Sequence, residues 1–148
     1  MLPERTCRKS LPMSRIIALA AAGMALVPQD SPAAAAAEPI DVQAHYSETF
    51  TACLADALAT ADRVFCIAAE AQRAEPALEK ALEEALNRLS PKRRTAFRSA
   101  QAEWRSTVRA KCDSEVADEE FERVAQANRG QCMLDETIRR TIELEGKR

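Results

Sequence analysis

Along most of this chain, apolar residues recur every three or four positions and do not alternate singly, so the pattern predicts helices and no strands. A first helix is expected over about residues 45–58. A second begins near Thr60 or Asp62, either of which can cap it, and carries Val64, Ile67, Ala71, Leu78, Leu82, Leu86 and Leu89 along one side. Pro76 falls inside this helix and should kink it, because proline lacks an amide donor and its ring crowds the preceding turn. Ser90-Pro91 ends it and opens the next, with the serine as cap and the proline in the first turn. The third helix sets Phe97, Ala100, Trp104, Val108 and Cys112 on one stripe, which faces the core. Phe121, Val124 and Ala125 suggest a further helical piece after Val116, with a break near residues 128–130. Leu134, Ile138, Ile142 and Leu144 then mark the last helix. The fold class expected is all-α, a small helical bundle or hairpin array of about four helices.

The first 37 residues do not fit this pattern. Arg5, Arg8, Lys9 and Arg15 precede an apolar run from Ile16 to Val27, followed by Pro28, Pro32 and alanines from Ala33 to Ala37. That is the layout of a secretory signal peptide, with cleavage expected after Ala37. The apolar run is too short for the roughly 20 residues of a membrane span. Met13 is an alternative start, since it opens a more ordinary leader, and Cys7 is lost from the mature chain in either case. The organisation expected is a leader over residues 1–37 and one helical domain over 38–148. A soluble product in the periplasm or secreted beyond it follows.

Removing the leader leaves 17 basic and 21 acidic residues, a net charge near −4, which gives no general case for nucleic-acid binding. About 111 residues suffice for one domain with a modest core, and at that size covalent staples still help. Abundant Ala, Glu, Leu and Arg with few aromatics and glycines favour helix almost throughout.

Four cysteines remain, Cys53, Cys66, Cys112 and Cys132, spaced thirteen, forty-six and twenty residues apart. On a straight helix the first pair would lie about 20 Å apart and the last about 30 Å, whereas a disulfide needs Cα atoms within about 7 Å. Pairing Cys53 with Cys66 therefore requires a turn near residues 59–62. Pairing Cys112 with Cys132 requires a reversal at residues 113–114 or 128–130. Three connectivities are open to four cysteines; the sequential one is preferred because each break it needs is visible.

Other chemistry finds little support. There is no zinc-ligand spacing and no Cys-x-x-Cys, and His45 is the single histidine, an ordinary residue near a helix start. An exported chain with an even number of mature cysteines offers no free thiol for a Cys/His nucleophile. The carboxylates lie on highly charged helices, and no phosphate-cradling glycine loop is present. No catalytic, metal or cofactor residues are assigned, and the chain is read as a non-enzyme.

Ala100-Gln101-Ala102-Glu103-Trp104, with Cys112 eight residues beyond the tryptophan, resembles the central signature of the LprI-like lysozyme inhibitor domain family. Cys53, Cys66 and Leu86-Asn87 are similar to its opening cysteine pair and second helix. Cys132, Thr137, Arg139 or Arg140, and Leu144 are similar to its closing segment. The resemblance covers about residues 51–144. Two features depart from it: Val108 stands where an arginine is common, with Arg109 beside it, and the glycine-rich link before the last cysteine is reduced to Gly130. The resemblance implies an exported protein that blocks a muramidase by docking rather than by chemistry. A structural or assembly module of the envelope, with no lysozyme target, is the alternative.

One physical feature bears on the docking face. Lys92, Arg93, Arg94, Arg98, Arg105, Arg109 and Lys111 crowd the third helix against Glu103 alone. Three of them sit in the first turn, where the helix dipole disfavours positive charge. Acidic neighbours on the second helix (Glu79, Glu83, Glu84) and at residues 113–122 are the simplest compensation. The sharper reading makes Arg98 and Arg105 the partner-binding residues, entering the carboxylate-lined cleft of a muramidase. In the opposite version the acidic segment at 113–122 steers a basic lysozyme. Trp104 is expected in the core, and Gln101, one position off the stripe, is expected to bridge helices through its side chain.

Overall fold

The structure, a computed structural model, describes residues 39–146. The expected leader, its cleavage site and Cys7 lie outside the described residues. Asp41 opens the described architecture by accepting the amides of Gln43 and Ala44 at 3.1 and 3.4 Å, which starts a single 3-10 turn, Gln43–His45. Tyr46 is extended, and Ser47 takes the Phe50 amide on its hydroxyl at 3.0 Å. The first α-helix, α1, therefore spans Glu48–Asp56 and starts later than its apolar spacing suggests. The cap moves the boundary because Ser47 satisfies a first-turn amide.

Helix α2 spans Thr60–Asn87, with Ala59 as its cap residue. Asp62 does not cap the helix; it reaches back from the first turn to accept the Ala59 amide at 3.0 Å. Pro76 does not divide α2. Both Pro76 and Gln72, whose carbonyl loses an amide partner, are exposed, so the break in the hydrogen-bond ladder falls on the solvent side of the helix. Helix α3 spans Pro91–Ser114, and α4 spans Glu122–Gly146 without interruption. The helical piece expected around Val124 and Ala125 is present as the start of α4, after residues 115–121 form the connection, and the break expected at residues 128–130 is absent. Gly130 lies within α4, and a Cβ there would sit 3.2 Å from Ile67 Cγ2. Its role is close approach of α4 to α2 rather than termination.

Helices α2 and α4 run side by side in the same direction: Ile67 faces Gly130 near one end, and Arg88 Nη2 donates to the Leu144 carbonyl at 3.4 Å near the other. Helix α3 returns antiparallel along α4, and α1 folds back on the start of α2. Two disulfides clamp these reversals, Cys53–Cys66 and Cys112–Cys132, with Cα separations of 5.8 and 5.7 Å. The sequential connectivity is thus the one present.

The core has two parts. Val42, Phe50, Cys66, Ile67, Ala127, Leu134 and Ile138 fill the α1/α2/α4 end. Leu78, Ala81, Leu82, Ala85 and Leu144 fill the other, sheltered by the partly buried Phe97 and Trp104. Glu70 is a buried carboxylate, 4% exposed, and it ties the N-terminal segment down by accepting the Ser47 amide at 2.9 Å and the Ser47 hydroxyl at 2.8 Å. Arg73 donates to it from the same helix. On the α4 side, the Tyr46 hydroxyl donates to Asp135 at 2.5 Å. Burial and then that carboxylate push the phenol well above its ordinary range. Among the described residues, no helix is long and apolar enough to cross a membrane.

Candidate docking site

The inner stripe of α3 differs by one position from the expected one. Ala100 is exposed, and Gln101 takes the inward place between Phe97 and Trp104, at 7% exposure. Steps of four, three, four and four from Phe97 to Cys112 keep that line facing inward better than a step to Ala100. Gln101 Oε1 accepts from Arg140 Nε at 3.1 Å, which makes the expected bridge between helices. Because arginine only donates, this contact fixes the orientation of the amide. Nε2 is then buried with no acceptor among the described residues.

Arg140 also donates to Glu143 at 3.0 Å, and its guanidinium lies 5.6 Å from the centre of the Trp104 ring. Trp104 is therefore partly buried, stacked between the second core cluster and a cation, rather than fully enclosed in the core. The three residues of the central signature all engage α4: Gln101 and Trp104 through Arg140, and Cys112 through Cys132.

The outer side of the same stripe forms a groove. Helix α2 contributes Glu79, Leu82 and Leu86, and α3 contributes Phe97, Arg98, Gln101, Ala102 and Arg105. The groove holds about 290 Å³ and is open to solvent. It brings together both cations expected at a binding face, but they differ. Arg105 is held by Glu79 at 2.5 Å, with Glu75 at 3.9 Å. Arg98 is exposed and makes no hydrogen bond or ion pair among the described residues.

The compensation expected for the α3 cations is partial. Arg94 Nε donates to the Leu89 carbonyl at 3.0 Å, ahead of the helix. Lys111 pairs with Glu136 at 2.7 Å and lies 3.8 Å from Glu115. The Glu136 bond raises the Lys111 pKa. Burial pushes Glu136 up, but Lys111 and Arg139 outweigh it and hold that carboxyl below its ordinary value. Asp113 pairs with Arg129 of α4 and not with α3. Lys92, Arg93, Arg98 and Arg109 are left without partners among the described residues, and of these Arg98 lines the groove.

A match to the family described as lysozyme inhibitor LprI covers residues 42–144, which include both bridges and the whole groove. The chain belongs to this family. Comparisons with curated proteins and with solved structures give no match.

Two further places on this LprI domain carry polar or apolar groups. A hollow of about 320 Å³ between α2 and α4 is lined by His45, Ser47, Glu70, Arg73 and Glu145, among others. Its buried carboxylate is already fully engaged by Ser47 and Arg73. Those bonds, working against burial, hold the Glu70 pKa below its ordinary value, so this hollow is a structural tie. Among the described residues, no group of three His, Cys, Asp or Glu side chains is placed to hold a metal.

The other place is the α1–α2 corner, where Leu58 is 97% exposed and Phe65 is 72% exposed. Sequence reasoning passed over Glu70 and Leu58 as functional or structural keys, and named Arg140 only as one of two candidates, with Arg139, for the arginine of the closing segment. Glu70 had a readable signal, a carboxylate three residues after Ile67 on the apolar side of a helix. Leu58 had none, because exposure of a loop leucine is a tertiary property.

Proposed function

We propose that this chain is an exported, non-enzymatic binding protein that inhibits a muramidase by docking. The observation that carries the reading is the family match over residues 42–144. In this reading the α2/α3 groove is the contact face. Arg98 supplies the cation for a carboxylate of the muramidase cleft, because it is exposed and unpaired among the described residues. Arg105, held by Glu79, shapes the groove wall and contributes less directly. Export through a leader at residues 1–37 agrees with two disulfides, which persist in oxidising compartments such as the periplasm or the secreted milieu.

The test is residual activity of chicken-type, goose-type and invertebrate-type lysozymes titrated with the oxidised protein at low and physiological salt. Stoichiometric inhibition of one type is the expected result, weakened at least tenfold by Arg98→Glu and only slightly by Arg109→Glu, which lies outside the groove. Full-strength Arg98→Glu would move the contact to another face. No inhibition of any type would favour the alternative, an envelope assembly module, which the exposed Leu58 and Phe65 also support.

A further inference from the structure

The α1–α2 corner presents an exposed leucine beside Asp56 and Asp62, and the α2/α3 groove presents apolar walls beside an exposed arginine. The corner is held rigidly. Residues 57–59 lie between the Cys53–Cys66 bridge and the start of α2. The Ala57 amide donates to the Leu54 carbonyl at 3.4 Å, and the Ala59 amide donates to Asp62 at 3.0 Å. Leu58 projects from this frame almost entirely into solvent. Phe65 lies beside Asp56, Ala57 and Asp62 around a shallow hollow. A projecting leucine with a fixed backbone loses little freedom on binding.

The groove supplies what such a knob lacks. Leu82, Leu86, Phe97 and Ala102 make apolar walls, and Arg98 is a cation without a partner among the described residues. We propose that this groove receives the corner of a second copy of the chain. Leu58 of one copy seats between α2 and α3 of the next, and Asp56 meets Arg98.

Self-insertion within one molecule is excluded, because Asp62 and Leu82 are separated along α2 by about 30 Å. An anionic lipid surface fits the corner poorly, since Asp56 and Asp62 flank the exposed apolar residues. The contact joins two different faces, so it runs head to tail and adds copies rather than closing a two-fold dimer. It is small, and the association is expected to be weak. The inference does not depend on muramidase inhibition, although both use the groove and self-association would mask Arg98.

Sedimentation velocity of the oxidised, secreted protein from about 10 μM to about 1 mM, at low and high salt, tests it. A concentration-dependent rise in average mass, weaker in salt, is expected. Leu58→Asp should abolish it, Arg98→Glu and Asp56→Arg should each weaken association at least tenfold, and the Asp56→Arg/Arg98→Glu pair should recover most of the loss. All positions are exposed, and unchanged melting temperatures confirm that the variants fold. A monomer at every concentration overturns the proposal. So does association indifferent to Leu58→Asp, or charge-reversal penalties that add without rescue. Muramidase titration is read separately, so failure of either reading leaves the other standing.

Discussion

Replacing Gln101 by methionine tests whether this buried residue of the family signature serves stability. Its Nε2 is buried without an acceptor among the described residues, and an unsatisfied buried donor costs about 1–3 kcal/mol. Against that stands the Arg140 bond at 3.1 Å, a charge-assisted contact of about 1.5–3 kcal/mol net. Methionine is unbranched and of similar length, so it fills the same space without a donor. Arg140 keeps Glu143 and the face of Trp104 and is not left bare. The two effects nearly cancel, and Gln101→Met should unfold within about 1 kcal/mol of the parent. For a domain of roughly 100 residues that is a shift in Tm of no more than about 4–8 °C. Gln101→Ala, which opens a cavity beneath Trp104, should lose about 2–4 kcal/mol. Urea and thermal unfolding of the oxidised protein at pH 7, followed by circular dichroism, decide the matter. A loss above about 2 kcal/mol for the methionine variant would refute the reasoning, because Nε2 must then be bonded.

Glu70→Gln removes the carboxylate that holds Ser47 and should cost about 2–3 kcal/mol at pH 7. The Glu70 pKa is depressed in the folded protein, so this stabilisation is complete above the ordinary carboxylate range and disappears as pH falls through the folded value. Melting curves of parent and variant should therefore draw together as pH falls below the ordinary carboxylate range, and a gap that does not narrow with falling pH contradicts this. Trp104→Ala should cost about 2–3 kcal/mol, below the roughly 3–5 of a fully enclosed ring, because the indole is partly exposed; chemical denaturation measures it. Replacing Cys112 and Cys132 by serine opens a loop of 20 residues and should cost about 3 kcal/mol in the chain-entropy model. An unchanged urea midpoint would show that the helices alone hold that reversal. Arg105→Ala removes an exposed pair with Glu79 and should change stability by less than about 1 kcal/mol.

Helix number, the Ser90-Pro91 boundary and both bridges were legible because each rests on local chemistry: apolar spacing, a serine before a proline, and the short reach of a disulfide. The errors share a different cause. Gly130 reads as a helix break when propensity is considered alone, yet it lies where α4 must approach Ile67, and packing outweighs the glycine penalty. Ala100 reads as an inward residue because it is apolar, but helix geometry turns Gln101 inward, and the polar side chain is tolerated through Arg140. Asp113 was expected to neutralise α3; its true partner, Arg129, lies on a helix whose placement the sequence did not reveal. Within the groove, the cations on α3 were visible as a cluster. Which of them would be free was decided by where α2 places Glu75 and Glu79.

This distinction bears on how the family match translates into function. Gln101, Trp104 and Cys112, the most recognisable residues, lie on the inner face of α3 and hold it to α4 through Arg140 and Cys132. Their contacts therefore hold the fold of this chain, and the surface open to a partner is made largely by other residues. Arg98 and Leu58 carry no such structural duty: both are exposed, and neither makes a side-chain contact needed by the core. Substitutions there should leave the melting temperature unchanged while altering binding, and loss of Trp104 or of the Cys112–Cys132 bridge should do the reverse. The variant series thus separates membership of the fold from use of the groove, and inhibition lost at Arg98 with stability intact is the pattern that assigns the groove to docking.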